Sequence, residues 1–519
     1  MEIRTETGFV KNTSCSDVYL ESRADYSLPD YLGDVRKILF TEASLRPSGR
    51  FAGGDEVEFS GIVVYNVIYL DSENNLSSAE FTSDYDYSVK CSGENYKDSV
   101  ADTRVSNYSI RLVGPRRISA RASLVGSVRL SENSSVCVSG TAFDGESTPE
   151  ISTGSVSIRS SRLSSVIERE YAEQIGQLDG AIADEVSVVY SSAETSVDSV
   201  EYCSDSASVK GKLRMVAVIQ NGGEPAYRLE KTVGFEESVP FEEISSEMKL
   251  LPELTVTSVK PSLNANENGC EVVLSGIVEF CVLGETNEQL ELVLDGYLKS
   301  CATETVYRDF PFSQLCDVMT VRGSHNGEIE KSEIDSENLR EILFLTATPK
   351  VDTVDNEGDR VSVVGEVWYS GVASEVIDDK ISYVGIKFSS PFAVNVNCDC
   401  QNSEKADIIA KVTAFGAGAS LDASKLYASC NLETVITVCE EKEKKILSSC
   451  NKKEGESFAS VGAGITVYYP CEGDTLFSVA KRFHTSSLKV ARDNDVAESV
   501  FAADNPEGKL IGIKKLLIY

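Results

Sequence analysis

Apolar and polar residues alternate with a period of two along most of the chain. In the stretch DEVEFSGIVVYNVIYL, apolar side chains recur at every second position from Val57 to Tyr69, with Gly61 among them. The stretch DRVSVVGEVWYSGV around Gly365 alternates in the same way. This is the period of a β-strand with one buried face. Turn clusters such as DSENN at 71–75 separate the strands, and few segments have the helical period, so the pattern predicts a mainly β chain of antiparallel sheets.

Three segments of the chain share one layout, which indicates an internal repeat. In each, a short apolar strand is followed by a glycine at the centre of an alternating strand, and the glycine lies 21 residues after the short strand ends. The short strands end at Phe40, Tyr190 and Phe344, and the glycines are Gly61, Gly211 and Gly365. A glycine inside a strand costs stability, so its recurrence indicates a bulge, a bend or a close backbone approach. We expect these glycines to have a structural role.

A second landmark follows at a fixed distance. Gly126 and Gly276 lie 65 residues after Gly61 and Gly211, and Cys430 holds the equivalent position in the third segment. A repeat of about 150 residues is too long for a solenoid unit and fits a whole domain. We therefore expect three antiparallel β-sandwich or barrel-like repeats. The predicted boundaries are 1–160, 161–320 and 321–440 for the repeats, 441–464 for a charged linker and 465–519 for a small terminal module.

The terminal module has a different pattern from the repeats. ITVYY at 465–469 and KLLIY at the end of the chain predict two strands. Between them, GDT at 473–475 supplies a turn and helix-capping residues, and the apolar spacing that begins at Leu476 is that of an amphipathic helix. Ser486 or Ser487 can cap a second helix. The expected order is strand, helix, helix, strand.

Charge is unevenly distributed along the 519 residues. The chain has 49 Lys and Arg against 82 Asp and Glu, a net charge of −33, which argues against nucleic acid and anionic membranes as partners. Residues 465–519 contain seven basic and seven acidic residues. The whole excess therefore lies on the repeats and the linker. Hydrophobic residues make up 41% of the chain, as is typical of folded domains.

The sequence also predicts a compartment. The start, MEIRTETGFV, lacks a basic stretch followed by an apolar core, and the strongest apolar run, 62–70, contains Asn66. We therefore expect a cytoplasmic protein without a membrane span. In that compartment the 14 cysteines are expected to remain thiols.

Residues suited to catalysis or metal binding are scarce. The two histidines are His325, in the predicted turn RGSHNG, and His484, at the end of the first predicted helix. Neither the motifs of common hydrolases nor a phosphate-binding loop is present. Cys398 and Cys400 form a lone CxC, whereas a zinc site needs two further ligands at suitable spacing. We expect no catalytic residues, no metal and no cofactor, and a protein that is not an enzyme.

The three segments resemble the SPOCS domain, which occurs in spore-coat proteins of endospore-forming bacteria. The resemblance rests on the ILF-type strand, the DEVEFSG-type strand and a closing aromatic stretch such as FSSPFAV at 388–394. The terminal module resembles the LysM module, a small βααβ unit. The residues that carry this likeness are Gly473, Asp474, Thr475, Leu476, Val479, Ala480, Phe483, Leu488 and Asn494. Together the two parts are similar to the SipL-type spore coat morphogenetic family.

This resemblance implies a non-enzymatic scaffold in spore coat or envelope assembly, on the mother-cell side of the forespore surface. The implied partner is the coat morphogenetic ATPase, stage IV sporulation protein A, or another coat protein, contacted through the LysM module.

LysM modules bind N-acetylglucosamine glycans in a groove between two loops. Here the groove residues would be Gly473, Asp474, Thr475, Leu476, Leu510, Ile511 and Gly512. Gly512 and Ile513 depart from the usual second loop, and 495–508 is longer than is typical of the family. Two alternatives stay open: a peptidoglycan-binding protein of the cell wall or cortex, and a purely capping role for residues 473–476.

Overall fold

The computed structural model is mainly β, as the alternation predicts, and its paired strands run antiparallel. Two short helices lie near the end of the chain. The structure describes residues 5–141, 149–242, 244–334, 336, 338–356, 360–398, 406–457, 464–496, 509–510 and 512–519.

The first part of the chain forms two packed sheets. Its strands are β1 (Thr5–Ser27), β2 (Val35–Gly53), β3 (Glu56–Asp71), β4 (Leu76–Lys90), β5 (Tyr96–Gly114) and β6 (Arg117–Val138). The strand orders are β1-β6-β5 and β2-β3-β4. Alternate side chains of the two central strands meet between the sheets, where Val63 and Tyr65 of β3 share a buried core with Ile118 and Leu124 of β6.

The second part repeats this arrangement with one more strand. Its strands are β7 (Glu150–Leu163), β8 (Ile167–Asp179), β9 (Val186–Cys203), β10 (Ser206–Asn221), β11 (Tyr227–Pro240), β12 (Lys249–Asn266) and β13 (Gly269–Tyr297). One sheet has the order β11-β10-β9 and the other β12-β13-β7. The long strand β13 pairs with β8 along its first half and with β7 along its second.

The third part has six strands in two sheets. They are β14 (Cys301–Glu330), β15 (Leu339–Asn356), β16 (Arg360–Ile377), β17 (Lys380–Asn397), β18 (Ala406–Leu421) and β19 (Lys425–Ser457). The orders are β15-β16-β17 and β14-β19-β18. As in the other two parts, residues of both sheets, such as Val367 and Ile436, share one buried core. We call residues 5–457 the body.

Strand pairing places the two borders between the parts earlier than predicted, and the end of the third part later. β7 pairs with β13, although 150–160 falls in the predicted first repeat, and β14 pairs with β19, although the predicted second repeat runs to 320. Residues 441–457 were predicted as part of a linker, but they continue β19 and pair with β14. The structure corrects the prediction there because Ile446 and Cys450 are buried in this charged stretch.

Each landmark glycine lies opposite an aromatic residue of the next strand. The pairs are Gly61 with Tyr85, Gly211 with Phe235, and Gly365 with Phe392. A Cβ on Gly211 or Gly365 would stand 2.6 or 2.9 Å from the ring, and it would also clash with a backbone carbonyl of the strand on the other side. The glycines therefore allow an aromatic ring to cover the strand backbone.

The three sheet pairs meet at a cluster that we call the aromatic hub: Phe40, Tyr190 and Phe344. The rings of Tyr190 and Phe344 stack with centroids 3.9 Å apart, and Phe40 stands edge-on to them at 5.9 and 5.0 Å. Aliphatic residues from all three parts surround the rings: Leu39, Ile68, Val189, Val218, Leu343 and Val372. The sequence predicts these residues at the ends of short strands, but they lie inside the long strands β2, β9 and β15, which bring them together at one point.

A buried ion network ties the first sheet pair to the second. Glu285 of β13 is fully buried and accepts hydrogen bonds from Arg159 Nε and Nη2 of β7, at 2.9 and 2.7 Å. Arg129 Nη1 of β6 donates to the same carboxylate at 3.1 Å, and the Ser161 hydroxyl donates at 2.8 Å. The carboxylate is therefore satisfied on both oxygens, as a buried charge requires.

The sequence context of His325 predicts a turn, and the structure contradicts this prediction. This residue lies in β14 and is buried, with Nδ1 2.8 Å from the Tyr369 hydroxyl and Nε2 3.1 Å from the Pro391 carbonyl oxygen. The Tyr369 hydroxyl also lies 3.4 Å from Cys430 Sγ. Burial raises the pKa of Tyr369, so its hydroxyl keeps its proton. The neighbouring glycines do not end the strand because β19 pairs with it throughout this stretch.

Gly365→Ala should destabilise the protein by about 1 to 3 kcal/mol, because the added methyl overpacks the site between Phe392 and the neighbouring backbone. The measurement is the midpoint of urea unfolding. Gly323→Ala is the matched control, since it also lies in a strand and a Cβ there meets nothing within 4 Å. Equal midpoints for the two variants would contradict the packing role.

Glu285→Gln should lower the free energy of unfolding by about 3 to 5 kcal/mol, because it leaves the buried Arg159 charge without its partner. Glu288→Gln is the control: Glu288 also binds an arginine, Arg162, but its side chain is 35% exposed, so its loss should cost about 1 kcal/mol or less. Urea unfolding of both variants gives the comparison, and a Glu285→Gln protein as stable as the control would refute the assignment.

Candidate functional site

The end of the chain forms a small module that we call the tail, residues 464–519. Its elements follow in the predicted order: β20 (Thr466–Tyr468), α1 (Leu476–Arg482), α2 (Ser487–Asp493) and β21 (Leu516–Ile518). The two strands pair antiparallel and pack on the helices. The residues at the centre of this core are Leu476, Val479, Ala480, Val490, Leu516 and Ile518.

Thr475 caps the first helix, as the GDT motif predicts. Its Oγ1 accepts a hydrogen bond from Ser478 N at 3.0 Å, and Ser478 Oγ accepts one from Thr475 N at 2.9 Å. This reciprocal pair is a capping box, which satisfies two backbone donors that the helix leaves free. The Thr475 side chain is therefore engaged within the module.

Asp474 is held by two donors of the tail itself. Its Oδ2 lies 2.7 Å from the Tyr468 hydroxyl and 2.7 Å from Cys471 N, and these hydrogen bonds lower the pKa of Asp474 below its ordinary value of 3.8. Arg482 Nη1 donates to the Tyr468 hydroxyl at 2.9 Å. Because the folded pKa is lowered, the carboxylate helps to stabilise the tail above the pKa of a free aspartate, and this help is lost as the pH falls.

The structure brings the two predicted groove loops together. Leu510 N donates to Asp474 O at 2.9 Å, and Thr475 forms a bridge with Lys509. Leu476 and Leu510 are buried, whereas Gly473 and Gly512 are exposed and have positive φ values of 90° and 81°. Ile511 lies outside the described residues. Of the described groove residues, the two glycines are thus the exposed ones, while Asp474 and Thr475 are half-buried.

Asn494 connects the second helix to the last strand. Its Nδ2 donates to Val490 O at 2.9 Å and to Leu517 O at 2.7 Å, and its Oδ1 accepts from Leu517 N at 2.5 Å. The family resemblance pointed to Asn494 without giving it a role. The side-chain amide of Asn494 can both donate and accept hydrogen bonds, so it pairs with the Leu517 backbone as a neighbouring strand would.

The tail is anchored on the body through α1. Tyr297, at the end of β13, is 2% exposed; its ring lies edge-on to Phe477 at 5.2 Å, and its hydroxyl donates to Thr485 O at 2.6 Å. Lys481 Nζ lies 2.7 and 2.6 Å from the two carboxylate oxygens of Asp295. Sequence reasoning missed these contacts, because residues almost 190 positions apart share no local pattern.

Other candidate chemistry is limited in the part of the chain that the structure describes. No group of three or more His, Cys, Asp or Glu side chains there could hold a metal ion. Cys398 is buried, and Cys400 lies outside the described residues. Burial raises the pKa of Cys439 and of Cys450 to about 11, as expected for packed thiols. In the same ranges, neither helix has the length and apolar character that crossing a membrane requires.

Comparison of the chain with protein-family models, with curated proteins and with solved structures gave no match.

Tyr297→Ala should loosen the tail, because it removes the ring that closes the contact with Phe477. We expect amide hydrogen exchange in residues 476–482 to rise about tenfold or more, since an opening free energy lowered by 1.4 kcal/mol gives that factor. Lys489→Ala is the control, because Lys489 lies on α2 and binds Tyr519 O within the tail. Unchanged exchange in the Tyr297 variant would show that the anchor does not hold α1.

Proposed function

We propose that the chain is a non-enzymatic scaffold of spore coat or envelope assembly, of the SipL type. In this proposal the three sheet pairs are SPOCS-like repeats, and the tail is a LysM-type module that docks to a basement-layer coat protein, stage IV sporulation protein A. The observation that carries the proposal is a small strand–helix–helix–strand module fixed to the end of a large, acidic β body.

The arrangement of the body supports the repeat part of the proposal. In each sheet pair one sheet places the glycine-centred strand in the middle, as β3, β10 or β16. The strands before it, β2, β9 and β15, contribute Phe40, Tyr190 and Phe344 to the aromatic hub. Three unrelated domains would have no reason to present residues of equal spacing to one point.

The contacts of the loop pair favour protein docking over glycan binding. The side chains of Asp474 and Thr475 make hydrogen bonds within the tail, and their partners are Tyr468, Cys471 and Ser478. Sugar recognition depends on polar side chains and aromatic surfaces that are free to meet the ligand. Because these two groove side chains are engaged within the tail, they support docking of a protein better than recognition of a sugar.

Deletion of residues 465–519 tests docking in a spore-forming host. We expect a fluorescent fusion of the truncated chain to remain in the mother-cell cytoplasm, whereas the full chain gathers at the forespore. Because truncation uncovers Tyr297, the truncated chain also carries Tyr297→Ser, and circular dichroism checks that the body is folded. Normal recruitment of this folded, truncated protein would count decisively against the proposal.

A second candidate function is binding of peptidoglycan. The observation in its favour is the 2.9 Å hydrogen bond from Leu510 N to Asp474 O, which sets the two glycine loops side by side. Co-sedimentation of the full chain with insoluble peptidoglycan separates the candidates. Saturable binding that Asp474→Asn abolishes, with exchange in α1 unchanged, would favour the glycan.

A further inference from the structure

Glu42 lies two positions beyond Phe40 of the aromatic hub, in the regularly paired part of β2. Side chains two positions apart in a strand share a face, so Glu42 follows Phe40 into the space between the three sheet pairs. The equivalent positions of the other two sheet pairs hold the hydroxyl residues Ser192 and Thr346, which also lie two positions after their hub residues. The first sheet pair thus places an ionisable group where the other two have neutral ones.

The Glu42 carboxylate receives a long hydrogen bond from its cross-strand neighbour. Asn66 Nδ2 of β3 lies 3.4 Å from Glu42 Oε2. An amide carries no net charge, so this contact does not neutralise the carboxylate. The Glu42 side chain is half-buried, and β16 and β17 of the third sheet pair pack against its strand.

The charged and titratable groups around this space come from several strands. They are Arg46 of β2, Glu80 of β4, Tyr108 of β5, Tyr190 and Glu194 of β9, Arg214 of β10, Arg228 of β11, and Tyr383 and Lys387 of β17. Each basic group has another partner: Glu80 for Arg46, Glu194 and Glu230 for Arg214, Glu230 for Arg228, and the Trp368 ring for Lys387. Within the described part of the chain, no basic side chain forms an ion pair with Glu42.

The surroundings of Glu42 disfavour its charged form. Burial raises the pKa of Glu42 above its ordinary value of 4.5, the Asn66 hydrogen bond lowers it, and the carboxylates of Glu194 and Glu80 raise it. Burial, followed by the Glu42 charge, also raises the pKa of the hub residue Tyr190. An ionised Glu42 is therefore a negative charge without a cation, beside buried rings and two further carboxylates, and such a charge is unfavourable.

We infer that Glu42 is a pH-sensitive switch of the aromatic hub: the neutral carboxyl lets the three sheet pairs close on one another, and its ionisation loosens their contact. Loosening admits water to the carboxylate, which removes the cost of keeping the charge out of solvent. Each sheet pair keeps its own core, so the switch acts on the contact between the pairs. This inference goes beyond the proposed scaffold function and does not depend on it.

Rising pH should loosen the hub. Because the pKa of Glu42 is raised in the folded chain, the contribution of the neutral carboxyl to stability is complete below the ordinary pKa of 4.5. That contribution declines as the pH rises from there through the folded pKa, since only the loosened state ionises freely in this window. Above the folded pKa the loss is constant.

Amide hydrogen exchange of the full-length protein between about pH 5.5 and about pH 8.5 tests the switch. The readout is the exchange rate of the hub segments 38–42, 188–192 and 342–346 in the parent protein, divided by the rate in Glu42→Gln at the same pH, so that the intrinsic pH dependence of exchange cancels. Glutamine keeps the shape of the side chain but cannot ionise. The ratio should therefore rise with pH, by about twofold or more over this range.

Glu58→Gln is the matched control, because Glu58 lies on β3 of the same sheet pair and is exposed. Its ratio should not change with pH. A Glu42→Gln ratio that is independent of pH, or an equal rise for Glu58→Gln, would overturn the inference. An equal rise in the core segments 63–67 and 213–217 would do so as well, because ionisation would then act on the whole fold rather than on the hub.

Discussion

The aromatic hub is the contact on which the arrangement of the body depends. Each sheet pair closes its own hydrophobic core, so those cores do not fix the three pairs relative to one another. The stacked and edge-on rings of Tyr190, Phe344 and Phe40 do, because aromatic pairs prefer a few defined geometries. Backbones also approach closely here: a Cβ on Gly385 of β17 would clash with the Leu39 carbonyl of β2. The hub thus excludes water from what would otherwise be outer faces of the sheets.

Arginines make two of the polar contacts that join the sheet pairs outside the hub. Arg214 binds the carboxylates of Glu194 and Glu230 and donates to Ala417 O at 3.1 Å, which joins the second sheet pair to β18. Arg159 and Arg129 do the same for the first and second pairs through Glu285. In so acidic a chain each arginine neutralises local repulsion, and its planar group binds carboxylates in a fixed geometry.

The parts of the fold that local patterns determine could be predicted from sequence. Alternation revealed the strands around Gly61 and Gly365, and the cap at Thr475 followed from three adjacent residues. The boundary predicted between residues 160 and 161 falls inside β7, because the partner of this strand, β13, lies more than 100 residues away. The charged composition at the end of β19 predicts a solvated linker, whereas in the structure this stretch pairs with β14 and Ile446 is buried. His325 was misplaced for the same reason: its hydrogen-bond partners, Tyr369 and Pro391, are distant in sequence.

The contrast between local patterns and contacts distant in sequence also applies to the candidate site. Helices of seven residues are too short to be stable alone, and the tail core gains Tyr297 from the body. The tail is therefore packed against the body, whereas its composition alone predicts a separate module joined by a linker. With α1 committed to the body, the loop pair is among the described surfaces of the tail that remain for a partner. A module held in one orientation favours a defined protein contact, since a glycan tether would work equally well on a free linker.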